Sequence, residues 1–266
     1  MAEGRLTRFL LRLASAAVLA FLYLPLIVVA IYAFNESRIQ AWPPHGFTLH
    51  WFGEAMNNPF VSKALVNSII VACVATVLAL ILGTLAAMGV QRFDFFGKQS
   101  ISFFLVLPIA LPGVITGIAL RTSFVTFGVD FGLATIVVGH ATFCVVIAYN
   151  NVIARLRRMP RSPEEASADL GADMFSTFRR ITLPGMGTAL LSGALLAFAL
   201  SFDEIIVTNF TAGAGTQTLP MWIYAAIQRP NELPVVNVVA LVMILVSVVP
   251  VYIATRISSG VAGARG

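Results

Sequence analysis

The sequence predicts an all-α integral membrane protein with six transmembrane helices, and three observations predict it. Of the 266 residues, 58% are hydrophobic and only 11% charged, with a mean hydropathy of +0.89. Average globular chains are about 45–50% apolar and about 25% charged. A surplus of that size needs a second apolar solvent, and lipid supplies one. The apolar residues also gather into six stretches, at about 13–34, 64–90, 101–125, 133–154, 186–207 and 235–254. Each can cross a hydrocarbon core of ~30 Å, which takes ~20 helical residues. Lastly, the basic residues between these stretches fall mostly on one side.

Six spans put both termini on the same side of the membrane. With the N-terminus in the cytoplasm, the inner set is Arg5, Arg8, Arg12, Arg92, Lys98, Arg155, Arg157, Arg158, Arg161, Arg179, Arg180, Arg256 and Arg265, which is 13 of the 17 Lys and Arg. Only Arg38, Lys63, Arg121 and Arg229 fall at or beyond the outer ends. Lys and Arg favour cytoplasmic loops, so the expected topology is N-in, C-in. The formal charge of +5 is then mostly topology, and no nucleic-acid partner is expected. A transmembrane barrel is excluded because runs such as 65–82 do not alternate.

The first stretch follows Arg5, Arg8 and Arg12, as a secretory signal would. It runs past Pro25 to Phe34 and meets no small-residue cleavage site, so a retained anchor helix is expected. The segment 35–61 carries Trp42, Pro43, Pro44, Trp51 and Phe52, and reads as an interfacial anchor rather than a ligand platform. In the third span, Pro108, Pro112 and Gly113 should loosen the helix, as a gate or as an ordinary kink. Cys73 and Cys144 lie inside apolar runs and read as packing residues. The segment 211–234 contains an apolar helical piece, 221–227, suited either to a substrate-delivering protein or to the interface. The whole chain, 1–266, reads as a single transmembrane domain.

No catalytic chemistry is expected. A G-x-x-x-x-G-K-[ST] phosphate loop is absent, since Gly97-Lys98 is followed by Gln99 and lacks the earlier glycine. A Gly-x-Ser-x-Gly elbow and a His-Glu-x-x-His pair are also missing, so no metal or cofactor is expected.

The segment 155–184, RLRRMPRSPEEASADLGADMFSTFRRITLP, is too polar to span and reads as a cytoplasmic loop. Ser162 fits a helix N-cap, Pro163 the first helical position, and Glu165 the reciprocal position of a capping box. Gly171 should break the helix before a second short run with Met174, Phe175 and Phe178.

Here the chain resembles the permeases of ATP-binding-cassette (ABC) importers with the type I fold. Their cytoplasmic motif is E-A-A, three residues, G, nine residues, I, one residue, L-P. This chain has Glu165, Ala166, Ser167, Gly171, Ile181, Leu183 and Pro184 at that spacing, with Ser167 replacing the second alanine. The resemblance implies the type I importer permease fold and makes this loop a coupling helix. Glu165, Ala166, Ser167, Leu170, Gly171, Met174 and Phe175 would then dock on the ATPase.

Further stretches resemble the second permease subunits of spermidine/putrescine importers: Tyr23-Leu24-Pro25-Leu26, Phe34-Asn35-Glu36-Ser37-Arg38, Gly139-His140-Ala141-Thr142-Phe143-Cys144, Asp169-Leu170-Gly171-Ala172 and Ser201-Phe202-Asp203-Glu204. That resemblance implies polyamine import in a bacterial inner (plasma) membrane. The implied partners are two ABC ATPase subunits, a second permease, and a periplasmic or lipid-anchored substrate-binding protein. Another small cation or amine as cargo, or a secondary transporter, is the alternative; pairing with a second copy of this chain also stays open.

Asp203 and Glu204 stand out on physical grounds as well. A carboxylate at a helix centre costs about 2.5–3.5 kcal/mol, so two adjacent ones near the outer end of the fifth span need a reason. Either one or both attract a cationic substrate, or they pair with Arg121, the one basic residue within another span, or they are solvated at the helix end. On a continuous helix neighbours point about 100° apart, so one of the two would face the route. His140 and Asn209, also at membrane depth, are expected to make interhelical hydrogen bonds.

Overall fold

In a computed structural model, which describes residues 4–263 and omits the side chains of 250, 251 and 254–263, the chain is almost entirely helical. Arg265 and the Arg256 side chain, counted above, lie outside the described residues. The elements are α1 Arg5–Ala33, α2 His50–Asn57, α3 Pro59–Arg92, α4 Lys98–Ala110, α5 Gly113–Thr126, α6 Leu133–Leu156, α7 Ser162–Asp169, α8 Met174–Thr177, a π turn Phe178–Thr182, α9 Leu183–Phe202, α10 Ile206–Thr211, α11 Leu219–Ala226, a 3₁₀ turn Pro230–Glu232 and α12 Leu233–Gly263.

Among the described residues, five helical stretches are long and apolar enough to cross a membrane: Arg5–Ala33, Pro59–Arg92, Leu133–Leu156, Met174–Phe202 and Pro230–Val249. The stretch 101–125, read above as one span, is instead two half-helices, α4 and α5, bent by 104°. The cause is local. Pro112 has no amide to donate, and the residue before a proline is driven out of the helical region. Leu111 accordingly sits at φ −81°, ψ 142°, and α5 restarts at Gly113. Counted as one broken span, the pair brings the total to six.

The chain divides into two compact units. The smaller comprises residues up to Ser62 and Trp222–Leu245. In it, the segment after α1 folds back through an isolated bridge between Asn35 and Phe47. Trp51 is buried against this turn, donating from Nε1 to the Asn35 carbonyl (2.8 Å) under the Arg38 guanidinium. Trp51 is therefore held inside the fold, whereas Trp42 is exposed.

The larger unit, Lys63–Met221 with α12 from Val246 onward, holds the helical core. Here α6 packs along α9, α4 packs on α6, and α10 fits between α5 and α6. Small residues let the helices approach, as is usual in bilayers, where apolar burial alone drives little association. A Cβ on Gly83 of α3 would meet the Tyr149 amide and the Ala148 Cβ of α6 at 2.8 Å. Around this crossing, Ala87, Val90, Tyr149, Val152, Ile153, Leu156 and Met186 form one buried cluster. Ala79, Phe143, Cys144, Ala148, Ala197 and Val207 form another. Cys144 thus packs as expected, while Cys73 lies exposed on α3. At the other end of α3, Asn67 donates to the Gln217 carbonyl and Ser68 accepts from the Leu219 amide, pinning the loop after α10.

Candidate functional site

Two places gather the residues singled out in the sequence. The first is the 155–184 loop. It opens with α7, which begins at Ser162, and no side chain caps it. The expected Ser162 cap is therefore absent: Ser162 is itself the first helical residue and Arg161 takes the cap position. The cap in this loop belongs to Asp173, whose Oδ1 accepts from the Ser176 amide (2.6 Å) at the start of α8. That hydrogen bond, with further help from Phe175 and Arg180, holds the exposed Asp173 carboxyl below the ordinary carboxylate range.

Between α7 and α8 the chain turns at Gly171, φ +82°. Left-handed backbone of this kind costs residues with a Cβ ~1–2 kcal/mol, which is why glycine closes the helix here. Ser167 and Thr177 then share a hydrogen bond (2.9 Å) that ties α7 to α8. The motif's departure from alanine at Ser167 has thus become an internal brace.

The loop is fastened from behind. Glu164 pairs with Arg92 at the end of α3 and accepts from Thr182 (2.5 Å) in the π turn. Its side chain is only 10% exposed. Burial disfavours its charge, but the hydrogen bonds from Arg92 and Thr182 and the charges of Arg92 and Arg161 outweigh it, so the pKa lies below the ordinary glutamate value. Arg155 donates from Nε to the Gly185 carbonyl (2.9 Å), closing the base.

On the outward side Glu165 and Ala166 are exposed. Leu170, Met174 and Phe175 are 89%, 77% and 69% exposed. Large apolar side chains this open, on a loop this firmly held, form a surface suited to another protein. A cavity of about 520 Å³ beneath them is lined by Arg92, Glu164, Glu165, Met174, Phe178 and Thr182, among others.

The second place is the end of α9. The helix stops at Phe202, Asp203 is its C-cap, and α10 restarts at Ile206. Asp203 and Glu204 are therefore not consecutive positions on one continuous helix, as the fifth-span reading had them. Glu204 turns back to accept from the Val207 amide (2.9 Å), capping α10. Asp203 is exposed, and no side-chain partner is found for it among the described residues.

The alternative pairing with Arg121 is not made. Arg121 lies over the Phe131 ring (5.2 Å) and reaches the Phe210 carbonyl (3.4 Å). Buried His140 of α6 bridges Ser201 (Nδ1, 2.7 Å) and Thr208 (Nε2, 2.8 Å), the interhelical bonding expected of it. Asn209 is exposed instead.

The clamp on Glu164 and the Asp173 cap escaped the sequence reading. Asp173 three residues before Ser176 is a local pattern that could have been found. Arg92 and Glu164 are 72 residues apart, and no spacing rule joins them.

This architecture, long apolar helices with a braced loop between α6 and α9, is that of an ABC-importer permease. The chain superposes on a chain from a bacterial alginate ABC transporter in complex with an alginate pentasaccharide-bound periplasmic protein, with TM-score 0.72 and 15% identity, covering 96% of this chain and 94% of the other. The chain belongs to the binding-protein-dependent transport system inner membrane component family, whose sequence profile matches residues 79–263. It is 37% identical over 228 residues to the putrescine transport system permease protein PotI of Escherichia coli (strain K12), covering 83% of this chain and 80% of that protein. It is 32% identical over 255 residues to the spermidine/putrescine transport system permease protein PotC of Haemophilus influenzae, covering 95% and 98%. As a family member it is a transport component rather than an enzyme.

Proposed function

We propose that this chain is the membrane-spanning permease subunit of an ATP-driven importer of polyamines, forming half of the translocation pathway in a bacterial inner membrane. In this reading the whole chain is one permease domain of six spans with N-in, C-in topology, the bent α4–α5 pair counting as one span. The distribution of Lys and Arg supports that orientation.

Loop 155–184 is the coupling element, and Glu165, Ala166, Ser167, Leu170, Gly171, Met174 and Phe175 meet or shape the contact with the ATPase. The observation that carries this is the trio Leu170, Met174 and Phe175, exposed on a loop anchored through Glu164 to α3 and through Thr182 to the start of α9. Movement of the knob would reach both helices directly. Partners are two ABC ATPase subunits, a second permease and a substrate-binding protein.

The names of the two relatives favour putrescine or spermidine as cargo. Exposed Asp203 supplies the charge that attracts an ammonium group, with Glu204 beside it held as a helix cap. The test is ATPase activity of the reconstituted complex with receptor loaded with putrescine or spermidine, comparing the native chain with Glu165→Ala. Stimulation that the substitution uncouples is the expected result. Stimulation only by a receptor carrying another cargo would overturn the substrate, and failure of any ATPase to associate would overturn the importer reading itself.

A further inference from the structure

The break between α9 and α10 leaves backbone groups without helical partners. Side chains take their place. Glu204 accepts from the Val207 amide, and the Thr208 hydroxyl donates to the Glu204 carbonyl (2.9 Å). The Thr208 hydroxyl has one proton, and that bond uses it. Toward His140 the Thr208 oxygen must therefore accept, so His140 carries its proton on Nε2. Nδ1 is then an acceptor, and the Ser201 hydroxyl donates to it.

One fully buried ring thus grips both sides of the break: the last turn of α9 through Ser201, and the first turn of α10 through Thr208. Neighbouring contacts leave the ring little freedom to move. Gly139 lets Val207 and Thr211 approach α6 closely, and Thr135 of α6 donates to the Thr211 carbonyl (2.7 Å).

We propose that His140 is a positioning residue for the acidic break: by bridging Ser201 and Thr208 from α6 it fixes the turn that presents Asp203, beside the capping Glu204, to a cationic substrate. The part played by the carboxylates rests on the pathway reading above; the bridging geometry does not. Asp203 is one residue beyond the pinned Phe202 turn, and the Glu204 carbonyl is itself bonded to the hydroxyl that His140 holds.

The test uses the assembled transporter in vesicles with saturating putrescine-loaded receptor. His140→Ala is expected to lower the maximal uptake rate about fivefold, as losing a hydrogen-bonded bridge would. His140→Gln, which can donate to Thr208 and accept from Ser201, should return it to within about twofold. In the double variant with Asp203→Asn the two losses should not add, because the charge being positioned is already gone. A second readout is independent of transport. In a chain carrying Asp203→Cys, with Cys73→Ser and Cys144→Ala, the rate of modification by a cationic thiol reagent should change in His140→Ala and be restored in His140→Gln.

Additive losses would overturn the proposal, as would a thiol reactivity indifferent to His140. If Asp203→Asn leaves uptake unchanged, the pathway reading falls, and the thiol reactivity alone then decides whether His140 positions the break. Should His140→Ala fail to assemble, Ser201→Ala removes only the hydroxyl bonded to His140 Nδ1 and carries the same measurements.

Discussion

Glu164 and Asp203 are both carboxylates at the end of a helix in an apolar protein, and their surroundings are opposite. Glu164 is nearly buried, paired with Arg92 and bonded to Thr182, and presents nothing outward. Asp203 is exposed and unpaired among the described residues, next to a residue whose carboxylate is occupied in capping α10. The difference separates fastening from recognition. A carboxylate whose charge is already answered within the fold holds two elements together, and one left open is available to something that arrives. The same contrast divides the loop itself, where Glu164 anchors and its neighbour Glu165 faces out.

The largest effect is expected on the outward side of the loop. Phe175→Asp places a charge where an exposed aromatic would meet the ATPase. Interface aromatics that act as anchors contribute ~2–4 kcal/mol, so retention of the ATPase subunit should fall about 30-fold or more. Co-purification and ATPase stimulation read this, and unchanged retention would remove Phe175 from the contact.

Next comes the anchor. Glu164→Gln should cost ~1.5–3 kcal/mol, toward the lower end because the Arg92 side chain is 29% exposed. The readout is hydrogen exchange of residues 162–182, which should speed up while the transmembrane helices stay protected. The pH dependence has a definite sign. Glu164 has its pKa below the ordinary 4.5 in the folded chain, so its contribution is complete above about 4.5 and disappears as pH falls through the lowered value. Native protection should decline in that acidic window, and Glu164→Gln should show no such decline.

Gly171→Ala follows, at ~1–2 kcal/mol, and its cost is entirely backbone: nothing lies within 4 Å of an added Cβ, so only the positive φ is strained. Exchange near residues 168–174 should rise locally, with Gly171→Asn intermediate, since asparagine tolerates this region better.

These residues also mark what the sequence made legible. The apolar stretches near 64–90 and 133–154 became α3 and α6 because length and composition alone govern whether a segment can span. The loop's motif residues landed on a compact exposed knob, with Gly171 at its turn. Three features were not legible. The depth of the bend at Leu111 depends on how α5 packs beside α10, where Gly117 faces Phe210, as well as on the prolines. The end of α9 at Phe202 has no glycine or proline to announce it, and it is secured by Ser201, Thr208 and distant His140. Arg92 and Glu164 meet only because the fold brings the end of α3 to the loop.

The smallest effect bears most directly on the open carboxylate. Removing one charge from a hydrated route is worth only ~1 kcal/mol at 4 Å, because water screens it. Asp203→Asn should therefore lower putrescine uptake at saturating receptor about fivefold, without altering ATPase association or loop exchange. Glu204→Gln should do less, about twofold, since glutamine can still accept from the Val207 amide and keep α10 capped. Glu204→Ala separates charge from cap: it removes both, and should add a loss of protection in α10 that Glu204→Gln does not show. If Glu204→Gln instead proved the more damaging of the two conservative exchanges, the assignment of Glu204 to capping and Asp203 to recognition would have to be reversed.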